Sequence, residues 1–181
     1  MKTRVLAGST LVLSFLLGAQ VAHADFDWPL GWQLPNHDIA LGLAGGVNFG
    51  ETGESFNSGP SASVSIGYHH KLLGIRGSVS TRHEGLSQHV GGGIELTVWY
   101  VVLVGGGVTY WEALAEPGRD IPIKAWGMSG FVALPLPLAR LGSSTLVIMP
   151  YARPGLRFAA DGAVQGHHEA GLSLEWTTFG F

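Results

Sequence analysis

Cysteine is absent from the 181 residues, which excludes a disulfide framework, a thiolate metal site and a cysteine nucleophile. Charge is scarce: 13% of residues are charged against 46% hydrophobic, where a soluble domain carries about a quarter charged. So much apolar side chain excludes intrinsic disorder. Long hydrophobic runs are missing too. Beyond the N-terminus no stretch reaches the roughly 20 apolar residues of a spanning helix, and no 3.6-residue period recurs. The 28 glycines keep no G-X-Y order, which excludes collagen. What remains is a β-rich chain with a great deal of apolar surface.

The first residues carry an address. Lys2 and Arg4 precede an apolar core from Val5 to Gly18, and Ala22-His23-Ala24 supplies a small-x-small cleavage site, the layout of a secretory signal. A short membrane anchor is the competing reading, but the run is too short for one and ends in a cleavage site. Residues 1–24 are therefore expected to be removed. Residues 25–38, with Trp28, Pro29 and Trp32, are expected to form a periplasmic lead-in and not a ninth strand, and residues 39–181 a single domain. Eight Lys and Arg then face 13 Asp and Glu, a formal charge of −5, and mild acidity of this kind argues against a nucleic-acid partner.

The rest of the chain alternates with period two in segments of about ten residues, as membrane-spanning strands do. The segments are 39–49, 61–69, 72–81, 90–100, 101–111, 125–134, 146–158 and 169–181. In the first, Ile39, Leu41, Leu43, Val47 and Phe49 oppose Ala40, Gly42, Ala44, Gly46 and Asn48. In the fourth, Val90, Ile94, Leu96 and Val98 oppose Gly91, Gly93, Glu95 and Thr97. Phe131 breaks the rule in the sixth segment. The seventh contains Pro150 and Pro154, which cannot donate to a ladder, so it is expected to bend or to pair poorly on one side.

Which face is bulky matters more than the number of strands. A soluble ligand-carrying barrel puts its large apolar side chains inside. Here those faces carry almost no charge, and the opposite faces are Gly, Ser, Ala and a few ions, which suit the cramped interior of an eight-stranded barrel. Bulky apolar faces suit lipid. Long links are expected at 50–60, 82–89, 112–124 and 159–168, with short ones at 69–71 and near 99–101 and an anomalous one at 135–144. Long outer loops with short periplasmic turns are the habit of outer-membrane barrels. Aromatic girdles are expected from Phe49, Tyr110, Trp111, Trp126 and Phe158 at one end, and from Tyr68, Trp99, Tyr100, Trp176, Phe179 and Phe181 at the other.

The chain thus resembles the small outer-membrane β-barrel superfamily, to which the transmembrane domain of outer membrane protein A belongs. The resemblance covers nearly all of residues 39–181 and is one of pattern, most specific at Trp176-Thr177-Thr178-Phe179-Gly180-Phe181. It implies an eight-stranded antiparallel up-and-down transmembrane barrel in the outer membrane. It also implies surrounding lipid and an assembly machinery that reads the last strand through Phe179 and Phe181. The outward register of Leu172, Leu174 and Trp176 is one position out of step with those two residues, which leaves two readings: a bulge near Thr177–Thr178, or a weaker end signal. A soluble edge strand ending in Phe is the alternative. No appended peptidoglycan-binding domain is expected after Phe181.

Five ions fall on the small-residue faces: Arg76, Glu95, Arg153, Arg157 and Glu175. Isolated buried charge is costly, so they are expected to pair and plug the lumen, with Arg76–Glu95 and Arg153–Glu175 as local pairs. An ion or proton path is the alternative. His83, Ser87, His89, His167 and His168 crowd the expected outer rim. They form a candidate site for an outer-membrane lipid-modifying hydrolase, although the His-x-Ser-Asn run of lipid A deacylases is missing. His167-His168-Glu169 could ligate a metal only from a loop, since neighbours on a strand point to opposite faces. His69-His70 reads as a solvated turn, and the triple glycines at 91–93 and 105–107 as close packing. The favoured expectation is a non-enzymatic scaffold presenting four extracellular loops to an unspecified partner, without cofactor or metal. The lipid hydrolase and a soluble periplasmic ligand carrier are the alternatives.

Overall fold

A strand shows alternate side chains to opposite faces, and each alternating segment is a strand in the computed structural model, which describes residues 37–52, 55–84, 87–99, 102–115, 124–159 and 162–178. The elements are β1 (Asp38–Thr52), β2 (Ser55–His70), β3 (Leu73–Glu84), β4 (Ser87–Trp99), β5 (Leu103–Ala115), β6 (Lys124–Ala133), β7 (Leu136–Leu141), β8 (Ser144–Ala159) and β9 (Val164–Thr177). Neighbours in sequence pair antiparallel from β1 to β6 and from β7 to β9, β1 pairs with β9, and β6 pairs not with β7 but with β8. The sheet therefore closes, leaving the ring without an edge. β6 and β7 both lie against β8 and share one place in the ring, joined where the Leu134 N–H donates to the Pro150 carbonyl at 3.0 Å. The architecture is a closed, eight-stranded, up-and-down antiparallel β-barrel. The expected signal and nearly all of the lead-in lie outside the described residues.

The phase is inside-out relative to a soluble barrel. Leu43, Val64, Ile66, Val79, Ile94, Leu96 and Met128 point outward and are 57–65% exposed. Ser65 of β2, Glu95 and Thr97 of β4, and Ser173 and Glu175 of β9 face the other way and are under 9% exposed. Phe131, Trp111 and Trp99 also point inward and are buried. The latter two are thus not girdle residues, while Tyr68, Trp126, Phe158 and Trp176 do stand outward. Tyr100, Phe179 and Phe181 lie outside the described residues. Alternation runs unbroken through Thr178, whose N–H donates to the Ile39 carbonyl at 3.0 Å, so no bulge occurs at Thr177–Thr178.

Most of the expected long links are strand. The ladder continues to Thr52↔Ser55 and to Glu84↔Ser87, and β9 begins at Val164. His83, Ser87, His89, His167 and His168 accordingly sit on strands rather than in loops. The expected link 112–124 is partly strand, and its residues 116–123 lie outside the described set. The anomalous link 135–144 contains β7 and a tight turn in which Gly142 has φ of 66°, a left-handed conformation that glycine adopts without steric cost.

Prolines and glycines mark where the ladder gives way. β8 pairs with β9 without a break from Thr145 to Phe158, but its pairing with β6 lapses between Ser129↔Gly155 and Val132↔Ala152, around Pro154. The one-sided weakness follows from the missing N–H. β2 carries the same defect at Pro60. There the fully buried Asn48 side chain donates to the carbonyls of Gly59 at 2.8 Å, Pro60 at 3.3 Å and His83 at 3.1 Å, bridging β1, β2 and β3. Asn48→Ala would take the side-chain donor from all three carbonyls, a loss of about 1–3 kcal/mol. Chemical denaturation in micelles should show that loss with an unchanged m-value. Gly91 faces Trp111 and Gly74 faces His69 across their ladders, and a Cβ at either would run into the facing ring.

Candidate functional site

The lumen holds the chain's buried chemistry in three layers. Nearest the β1–β2 and β3–β4 hairpin tips are Arg82 and Glu84 of β3, His89 of β4, Trp111 of β5, Arg157 of β8 and His167 of β9. Period two carries the inward phase of Arg76 on to Arg82 and Glu84. Arg157 donates to both Glu84 oxygens, at 3.1 and 2.5 Å. The Arg82 guanidinium lies 3.7 Å from the centre of the Trp111 ring, sits with Nε 3.1 Å from Glu84, and has Nη1 2.7 Å from His167 Nε2. His89 Nε2 is 3.6 Å from Glu84. Arg82 is fully buried, and the indole face covers a guanidinium that water does not reach.

The middle layer crosses the barrel. Arg153 donates from Nε to Glu95 Oε1 at 3.0 Å, from Nη2 to Oε2 at 3.3 Å, and from Nη1 to Glu169 at 3.5 Å. Glu169 also accepts from the Tyr151 hydroxyl at 2.5 Å and from Ser61 at 3.0 Å. Arg76 donates to Glu175 and, at 2.8 Å, to Ser65. Phe131 lies under both arginines, its ring centre 5.1 Å from Arg76 and 5.2 Å from Arg153. Its departure from the small-residue rule thus has a cause: the ring is a floor for two guanidinium groups.

At the end where β1 begins and β9 ends, His69 Nε2 is 3.0 Å from the Thr97 hydroxyl, and Nδ1 is 3.8 Å from Asp38. Thr177 and Thr178 each donate to Asp38 at 2.9 Å. Trp99 stands edge-on to His69, and Leu103, Val147 and Met149 are buried at the same end. His69 is therefore an interior residue, not part of a solvated turn. The hydroxyl–imidazole–carboxylate order is that of a nucleophilic triad, but Thr97, His69 and Asp38 are each under 5% exposed. A nucleophile needs access as well as a base.

All five ions expected in the lumen point inward, with partners other than those anticipated. Arg76 and Glu95 are direct cross-strand neighbours, yet each reaches across the interior, Arg76 to Glu175 and Glu95 to Arg153. Arg157 takes Glu84, which strand extension brings inside. Four guanidinium groups thus meet Glu84, Glu95, Glu169 and Glu175, with mostly charge-assisted hydrogen bonds of the strong kind. The four rim histidines do not converge. His89 and His167 are buried inward while His83 and His168 are exposed outward, and His167 is held by Arg82. His167, His168 and Glu169 stand on one strand with alternating directions, and no group of three or more metal-ligating side chains occurs among the described residues.

No family model matches the chain, and neither does any curated protein sequence. Among solved structures the barrel is similar to Neisserial surface protein A, with a TM-score of 0.58 and 12% identity over 80% of this chain and 97% of that one. At this identity the likeness is one of fold: this chain and that surface protein share the same small closed β-barrel.

Proposed function

We propose that the protein is a non-enzymatic outer-membrane barrel, a closed scaffold that holds the β1–β2, β3–β4, β5–β6 and β8–β9 connections outside the cell. The observation that carries this reading is an exposed apolar exterior around an ionic interior. From Ile39 to Phe49 the outward residues of β1 span ten steps. At about 3.3 Å per step and a tilt of about 40° they form a band of about 25 Å, the height of the apolar belt on such barrels. A soluble ligand carrier would have to leave that band in water, against the ordinary limit on exposed apolar patches. The likeness to a surface-protein barrel supports the same location. Surrounding lipid and the assembly machinery are the partners this reading requires, the latter through the last strand with Phe179 and Phe181.

The three layers of ion pairs and aromatic rings argue for a plug rather than a pore, since eight strands leave an interior that side chains just fill. Planar bilayers containing the purified full-length protein should carry only sparse, small current steps. A large, steady conductance would instead make the lumen a channel.

A further inference from the structure

We infer that His37 and His70 form a two-imidazole chelate for a borderline divalent transition-metal ion on the outer surface of the barrel's terminal end. Strand alternation builds the pair. Asp38 and His69 are cross-strand partners with both side chains buried inside. One step further, His37 and His70 therefore face each other on the outside. Both are exposed, and their ring centres lie 4.9 Å apart at an interplanar angle of 47°. Two nitrogens bound to a tetrahedral ion at about 2.0–2.1 Å stand about 3.4 Å from one another. A ring separation of 4.9 Å is compatible with that requirement once the His70 ring turns about its side-chain torsions.

Tyr68 supplies the second observation. Its hydroxyl lies 2.5 Å from His37 Nδ1, and a histidine that ligates through one nitrogen almost always has the other so engaged. In the tautomer whose Nδ1–H donates to the phenol oxygen, the Nε2 lone pair of His37 is available to a metal ion, and the same bond orients the ring. The His70 side chain makes no hydrogen bond with another described residue, so its ring can turn toward His37. Neutral imidazoles select copper, nickel and zinc over calcium and magnesium, and water would complete the coordination. A bound ion would tie the residue preceding β1 to the end of β2 and so favour the folded barrel by mass action.

The test uses the full-length protein folded in detergent micelles, with unfolding midpoints measured in chelator and in Cu²⁺, Ni²⁺, Mn²⁺ or Mg²⁺. The midpoint should rise with copper most strongly, with nickel less, with manganese weakly, and not at all with magnesium. His37→Ala and His70→Ala should each abolish the shift while matching wild type in chelator. Tyr68→Phe should need at least about tenfold more metal, and the double variant His83→Ala/His168→Ala should respond as wild type does. Electron paramagnetic resonance of one equivalent of Cu²⁺ should show two imidazole nitrogens in wild type and one in His70→Ala, which decides the matter even if a variant folds poorly. A wild-type protein indifferent to copper, or a response that survives His70→Ala, would overturn the assignment.

Discussion

Glu95→Gln should destabilise the barrel by about 3–5 kcal/mol, because it strands a buried guanidinium that now has a two-point carboxylate partner. Arg153 would keep Glu169 at 3.5 Å, and that longer contact does not replace bonds from Nε and Nη2. The pairing can be read from double-mutant cycles in micelles. Glu95→Gln combined with Arg153→Met should cost much less than the two single losses added, since removing a buried pair is far cheaper than removing half of one. Glu95→Gln with Arg76→Met should come closer to additive, although these two residues are cross-strand neighbours, because Arg76 spends its charge on Glu175. A larger coupling for Arg76–Glu95 than for Arg153–Glu95 would refute the cross-lumen pairing.

A charge on the outer face should cost almost as much. Ile94 lies midway along the outward apolar run of β4 and is 57% exposed. Ile94→Arg should cost about 2–4 kcal/mol in a bilayer, as expected for a cation at mid-depth. The same cation in place of outward His83, near the tip of β3, should cost only about 0–1 kcal/mol. Reversible unfolding in lipid vesicles measures both. A water-soluble barrel would show no such difference, since an exposed arginine is no burden in water. Equal costs at the two positions in lipid would contradict the depth assigned to the band.

The closed barrel was legible because alternation is a local signal that survives without knowledge of partners. The hairpin ends were not. Segments such as Glu51–Pro60 are rich in Ser, Asn and Gly, and that composition reads as loop until the ladder of β1 with β2 extends them. The same shortfall hid Arg82 and Glu84, although counting by two from Arg76 reaches both. Trp99 and Trp111 were misplaced for a different reason. A tryptophan near a strand end suggests a girdle, but Trp111 shares its phase with Gly105, Gly107 and Thr109, and Trp99 with Glu95 and Thr97. Phase, not position, was the better guide.

Ion partners lay beyond any sequence argument. Adjacent strands bring Arg76 and Glu95 together in register, while an arginine is long enough to cross a narrow barrel. The choice between neighbour and opposite wall depends on what else fills the space, here Phe131 under two guanidinium groups. Asn48 was equally hidden: its carboxamide donates to the carbonyls of Gly59, Pro60 and His83 on two other strands, a meeting that only the assembled ladder brings about.

The most direct test of the central claim is where the protein resides in the cell. Expressed with residues 1–24 intact in a Gram-negative host, it should sediment with outer membranes and remain there through high-salt and alkaline washes. On a detergent gel it should run at different positions before and after boiling, as a closed barrel that resists detergent until heated. Recovery from the periplasm as a folded, detergent-free soluble protein would contradict the account.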